Sequence, residues 1–380
     1  MNRIYVDHAA TTPMSEGALA AMLPYFRERF GNPSALHSYG QEAKKAIEAG
    51  RRTIARAIGA ASNEIYFTSG GTESDNWALH SACEMKKDKG RHIIATAIEH
   101  NAVLQTLEKL RSEGCRVTLL LPDERGQLTA ERLEAAIRAD TVLISVMLAN
   151  NVVGTVLRIG ELCDVAHRHG ILFHTDAVQA VGHIPVDVRK LGVDMLSLSA
   201  HKFHGPKGAG ALFSKLPRRP PAHITGGGQE RGGRSGTENV AGIVGMAAAL
   251  EACVDGISEH MRYLVGLRDR LIERTLAIPG AHLTGDPVAR LPGHASFLFD
   301  GIGHSARLIA MLDEAGICAS AGAACSASAQ EASHVLESLG FDAARSQGAL
   351  RISLSIHNTE AEIDAISDRL PIFVARLRRR

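Results

Sequence analysis

The sequence predicts an α/β protein with a large domain, built on a mainly parallel sheet covered by helices, and a smaller α+β domain. Three observations carry this. From about residue 64 onward, apolar runs of strand length alternate with amphipathic helical runs. The apolar runs are continuous rather than alternating, as strands buried on both faces should be. From about residue 257 the pattern changes to a long charged helix followed by shorter strands. A chain of 380 residues also exceeds one ordinary core. The expected division is a large domain over 16–256, with 1–15 and 257–380 forming the small one. In order, Ile65–Phe67, Ile93–Ala95, Val117–Leu121, Val142–Leu148, Ile171–Phe173, Met195–Leu198 and Ala209–Phe213 read as strands. Helices are expected near Thr72 and over His100–Arg111, Ala130–Arg138, Ile159–Arg168 and Ser258–Thr275. Ala295–Phe299 and Leu350–Leu354 read as the later strands.

Charge is nearly balanced, with 42 Lys+Arg against 41 Asp+Glu, which argues against nucleic-acid or membrane-surface binding through bulk electrostatics. No apolar run reaches the ~18 residues of a membrane span. The Gly/Ala-rich run Ala241–Cys253 reads as a tightly packed helix, and the first residues lack a signal-peptide apolar core. A cytoplasmic location is the expectation. Six cysteines in so long a chain are not a disulfide framework, and without a C-x-x-C pair no metal site is expected.

The chemistry-bearing residues gather where strands end, the place at which open α/β sheets bind ligands. Ser199-Ala200-His201-Lys202 follows one strand, and His174-Thr175-Asp176-Ala177-Val178-Gln179 follows another. A lysine and an aspartate at adjacent strand ends suit pyridoxal 5'-phosphate: the lysine forms the Schiff base and the aspartate keeps the ring nitrogen protonated. Ser69-Gly70-Gly71-Thr72 lies between a strand and a helix, where glycines let the backbone approach an anion at the helix N-terminus. The same pattern also describes a plain helix cap. It is not a Walker loop. Glu99-His100 places a ring at another strand end, to stack on a cofactor and handle protons. Asn150-Asn151 occupies the same edge, as a turn or as a carboxamide for ligand oxygens. The glycine-rich segment Gly226–Asn239 reads as a flexible linker or, through its arginines and Thr237, as a loop that reaches a phosphate. Arg351 lies in an apolar strand, so burial requires it to face an anion, and a substrate carboxylate is the natural one. Cys325 sits in a stretch of small residues, Ser320–Ala329, expected to form a mobile, solvent-exposed loop over about 318–331. An exposed thiol of that kind invites a functional reading.

Together these segments resemble the cysteine desulfurases of the nitrogen-fixation and iron–sulfur-cluster type, members of the class V aminotransferase group of fold-type I pyridoxal-phosphate enzymes. The resemblance spans nearly the whole chain: Tyr5–Pro13, Phe30–Ser34, Gly71–Asn76, His174–Gln179, His201-Lys202, Arg234–Thr237, Gly322–Cys325 and Arg351–Leu354. It implies that Lys202 carries the cofactor, Asp176 pairs with the ring nitrogen, Gln179 bonds the ring hydroxyl and His100 stacks on the ring. Gly71, Thr72, Ser199 and His201 would hold the phosphate. Thr237 would reach the phosphate of a partner subunit, which implies a homodimer. Asn151, also at the cofactor, and Arg351 would bind the carboxylate of L-cysteine. Cys325 would take the sulfur as a persulfide, leave L-alanine, and pass the sulfur to an acceptor protein, a scaffold or sulfur carrier.

The sequence departs from the family pattern in places. Val152 stands where a glutamate is common, Ile356 where a second arginine is usual, and Gly-Ala-Ala-Cys replaces Gly-Ser-Ala-Cys. The last form also resembles selenocysteine lyases, which would use the same cofactor site. The chain stops soon after its last helix, where family members often continue into a tail that docks scaffolds. A pathway-specific C–S lyase that does without Cys325 and a non-catalytic sulfur-relay subunit are the other readings.

Overall fold

The computed structural model describes residues 3–321 and 333–379. Cys325 lies outside the described residues. A short strand β1 (Ile4–Tyr5) precedes the main sheet. That sheet contains β2 (Ile65–Thr68), β3 (His92–Thr96), β4 (Arg116–Leu120), β5 (Thr141–Ser145), β6 (Leu172–Asp176), β7 (Met195–Ser199) and β8 (Gly210–Ser214). Its order is β2-β8-β7-β6-β5-β3-β4, seven strands. Pairings from β4 across to β7 are all parallel, and β8 runs against both of its neighbours. The sheet is thus mainly parallel, with one reversed strand. Strands β2, β3, β5, β6, β7 and β8 are buried along their whole length, whereas edge strand β4 alternates between exposed and half-buried.

The later strands β9 (Ala281–Leu283), β10 (His294–Phe299) and β12 (Ala349–Ser353) make a separate antiparallel sheet, and β11 (Ile317–Cys318) pairs in parallel with β1. Three apolar clusters accompany these sheets. The first joins Ile94, Ile144, Phe173, Leu196 and Phe213 to covering helices, the second gathers Val6, Leu267, Phe297, Leu350, Ile366 and Leu370, and the third joins Trp77, Leu79, Val103, Leu143 and Leu212. Val335, Leu336 and Leu339 of the later segment pack into the first core, so the two halves share apolar surface. Helix Ser38–Ala57 buries Ala43, Ile47, Gly50 and Ile54, a stripe three to four residues apart. A Cβ at Gly50 would approach Ile243 of the helix Val240–Asp255 to 3.0 Å, so the small residue sets how closely the two helices meet. The expected packed helix over Ala241–Cys253 is this one. Among the described residues no single helix is long and apolar enough to cross a membrane.

One buried ion pair fixes the glycine-rich segment to this frame. Arg51 grips Glu230 bidentately at 2.7 and 2.8 Å, and Glu230 also accepts from Phe67 N at 2.8 Å. Arg51 lies over the Phe67 ring, 4.5 Å from its centroid. Glu230 and Arg231 have φ of 46° and 58°, a region costly for side-chain-bearing residues, so these bonds hold a strained turn. Glu230→Ala would leave Arg51 buried without its bidentate partner. Chemical denaturation is expected to show a loss of about 3–5 kcal/mol, and a loss under about 1 kcal/mol would show that the pair is dispensable.

Candidate functional site

Four neighbouring parallel strands end on one side of the main sheet. β3 leads to Glu99-His100, β5 to Asn150-Asn151, β6 ends in Asp176, and β7 passes from Ser199 into a 3-10 turn, Ala200–Lys202. The strand ends bring together His100, Asn151, Asp176, Gln179, Ser199, His201 and Lys202 on one edge.

Lys202 Nζ donates to Ala9 O at 2.6 Å and Ala10 O at 2.8 Å. Gln179 Nε2 donates to the same Ala9 carbonyl at 2.9 Å, and His201 Nδ1 lies 3.1 Å from Thr11 Oγ1. The segment Asp7–Thr12 therefore closes over the lysine. His183 supports the turn from below, donating from Nε2 to Lys202 O at 2.8 Å. Burial, then the Lys202 charge, lowers the pKa of His201 to about 4, so this imidazole is neutral and can accept or donate one hydrogen bond. His100 caps the helix Asn101–Ser112, with Nδ1 accepting from Ala102 N at 3.1 Å.

Asp176 is 6 % exposed. One of its oxygens accepts from Val178 N at 2.9 Å. Burial raises its pKa, while the charges of His100 and Lys202 pull it back. A buried carboxylate so placed is suited to a ring N–H that would compensate its charge. The helix Gly71–Met85 begins beside Ser199, and Gly70 at its N-cap has no side chain to occupy the first-turn amides. A Cβ at Gly71 would meet Val178 at 2.6 Å, and one at Gly210 would meet the Gly70 backbone at 2.5 Å, so only glycines allow this approach of backbone to strand end. The cup, the lysine and the buried aspartate fit pyridoxal phosphate: the helix N-terminus would receive its anion, Asp176 would face a ring nitrogen and Lys202 would take its carbonyl carbon.

Of the asparagine pair, Asn150 is the turn-former. Its Oδ1 accepts from Val152 N and Val153 N, and its Nδ2 donates to Ile98 O. Asn151 is half-buried and available to a ligand through its side chain. Arg351, 2 % exposed, donates to Asp7 Oδ1 at 2.6 Å and to Asn151 O at 2.9 Å. The anion that its burial requires is thus already supplied by Asp7, a partner the sequence reading missed. Thr72 and Thr237 are exposed. Arg234, in the segment with Thr237, donates to Glu73 at 2.9 Å, tying that segment to the first turn of the Gly71 helix. Burial works against the ionised Glu73, but its bonds from Arg234 and Ser69 prevail and its pKa is lowered.

The reading of the residues also passed over Asp75, although it lies in the Gly71–Asn76 segment. Its position four residues after Gly71, on the buried side of the helix, was the available signal. Cys163, His167 and Asp194 approach one another elsewhere, but the sulfur lies a nearly equal 3.9 and 3.8 Å from the two ring nitrogens. Burial pushes that thiol up to about 12, so it is an inert core cysteine.

The family model described as "Aminotransferase class-V" matches residues 4–366. The chain is 47% identical over 375 residues to "Cysteine desulfurase IscS" of Methanosarcina thermophila, covering 99% of this chain and 93% of that protein. Among solved structures it resembles a "NifS-like protein" with a TM-score of 0.92 and 39% identity, covering 98% of this chain and 99% of that one. It also resembles "SspA in complex with cysteine", with a TM-score of 0.82 and 35% identity over 94% of this chain and all (100%) of that one. With this geometry and these likenesses along its whole length, the chain belongs to the class-V aminotransferase family and, within it, to the cysteine desulfurases.

Proposed function

We propose that the protein is a pyridoxal-phosphate-dependent cysteine desulfurase that converts L-cysteine to L-alanine and hands the sulfur on as an enzyme persulfide. The observation that carries this reading is the placement of Lys202 and Asp176 at adjacent strand ends, beside an open helix N-terminus. Bound pyridoxal phosphate supplies an electron sink for the substrate carbons. Lys202 holds the cofactor and then moves the proton at the substrate Cα. Asp176 keeps its charge opposite the ring nitrogen, and Gln179 and His100 orient the ring. Gly71, Thr72, Ser199 and His201 hold the phosphate, and Thr237 reaches across to that of a second copy in a homodimer. Arg351 and Asn151 take the substrate carboxylate, with Asp7 yielding or sharing the guanidinium. The Cys325 thiolate forms a bond to the substrate sulfur as the Cβ–S bond breaks. The carbon skeleton takes a proton and leaves as alanine, so the net change is cysteine plus thiol to alanine plus persulfide. The sulfur then passes to an acceptor protein. The same reading divides the chain into a cofactor domain over 16–256 and a small domain formed by 1–15 and 257–380, supported by the separation of the seven-stranded sheet from the β12-β10-β9 sheet and by the separate cluster around Phe297 and Leu350.

Product analysis tests the reading. Loaded protein given L-cysteine and a thiol reductant is expected to release alanine and sulfide in equal amounts. Release of pyruvate in place of alanine would make it a β-eliminating lyase.

A further inference from the structure

Two more carboxyl groups lie buried around Asp176. Asp75, on the Gly71 helix, is 1 % exposed and Glu99, after β3, is fully buried. Neither Asp75 Oδ1 nor Glu99 Oε2 has a hydrogen-bond partner among the described residues. His174 Nε2 lies 3.6 Å from Asp75 Oδ1, beyond a hydrogen bond. That imidazole is already engaged across three strands: Nδ1 with Ser145 Oγ at 2.9 Å and Nε2 with Ser197 Oγ at 3.0 Å. Burial lowers the His174 pKa to about 3, so the ring gives Asp75 no positive charge. Among the described residues Glu99 Oε1 accepts from neutral donors, Thr96 Oγ1 at 2.5 Å and Met147 N at 3.0 Å. At Asp176 the charges of His100 and Lys202 work against burial. Three carboxylates sharing one buried region do not all ionise together, and the charge is held best where cations offset it. Burial raises the Asp75 pKa well above its ordinary value, with the charges of Asp176 and Glu99 adding to the effect and a hydrogen bond from Ser197 only partly opposing it. Burial likewise pushes Glu99 up to about 8.

We propose that Asp75 and Glu99 are neutral carboxylic acids, and that Asp75 is a positioning residue whose retained proton leaves Asp176 as the one ionised carboxylate at these strand ends. The proposal deepens the functional reading, since it is Asp176 that would meet the ring nitrogen. Asp75 would act only through Asp176, by withholding a second negative charge from the space beneath it.

Infrared spectroscopy reads the protons directly. At neutral pH the loaded protein is expected to show two buried carboxylic-acid C=O bands. Asp75→Asn should remove one and Glu99→Gln the other. Both variants should fold, because each amide replaces an acid that is already neutral. Thermal unfolding against pH gives a second reading. Glu99 has an ordinary pKa of 4.5 and a folded value of about 8, so its contribution to stability is fully present below 4.5 and is lost as pH rises through 8. Glu99→Gln should therefore melt with wild type in the acid range and above it at alkaline pH. A third acid band in the loaded protein would place a proton on Asp176 and overturn the proposal. So would an Asp75→Asn variant that keeps both bands or fails to fold. These readouts need no turnover, so they stand or fall separately from the product assay.

Discussion

Lys202→Ala is expected to release no measurable alanine from L-cysteine, a fall of roughly 10⁴-fold or more, as when a residue acting as both anchor and base is removed. Its side chain spans from the end of β7 to the carbonyls of Ala9 and Ala10 at 2.6 and 2.8 Å. The loss should be of chemistry and not of fold. The 3-10 turn is held by its backbone, with Thr12 Oγ1 donating to His201 O at 2.9 Å and His183 donating to Lys202 O at 2.8 Å. Circular dichroism and melting temperature should match wild type, while the absorbance of lysine-linked cofactor disappears. A variant that still turns over at a tenth of the wild-type rate or more would remove Lys202 from the mechanism.

Asp176→Asn is the second large effect, and it should separate activity from stability. Burial raises the Asp176 pKa, which means that the folded chain bears a cost for its charge. Removing the charge with an isosteric amide relieves that cost, and the Val178 N bond at 2.9 Å can persist to the amide oxygen. Denaturation should therefore show a protein at least as stable as wild type. Turnover should drop by roughly 10³-fold, in the range seen when one preorganised electrostatic partner is lost. A strained site traded against stability has this signature. Loss of stability without loss of turnover would assign Asp176 to the fold alone.

Most of the main sheet is legible in the sequence, for a definite reason. Strands such as Ile93–Ala95 and Met195–Leu198 are covered on both faces, so burial alone makes them apolar without interruption. At β5 the apolar run continues through Leu148 although the strand ends at Ser145. Val146 N and Leu148 N still bond to His174 O and Asp176 O of β6, so these buried residues stay beside the sheet as the chain leads on to Asn150. The reversal of β8 had a quieter signal. Only residues 200–209 separate it from β7, too few for the dozen or more that a parallel crossover needs.

The candidate site divides in the same way. Residues at strand ends, Asp176, Ser199 and Lys202 among them, are legible because the strands are. Pairings between remote segments are not, since no local pattern records them. Asp7 meets Arg351 across 344 positions, and Ala9 and Ala10 cover Lys202 across 193 and 192. Asp75 and Glu99 escape for a related reason. A buried carboxyl looks polar in the sequence, and only the assembled sheet shows that it lies next to another.

In the proposed reaction sulfur leaves the substrate by transfer to Cys325. The decisive measurement is alanine release from L-cysteine by Cys325→Ala, loaded with cofactor and supplied with reductant. The variant is expected to bind cofactor and substrate with unchanged spectra yet make almost no alanine. Alanine formed at the wild-type rate would move the sulfur acceptor away from Cys325.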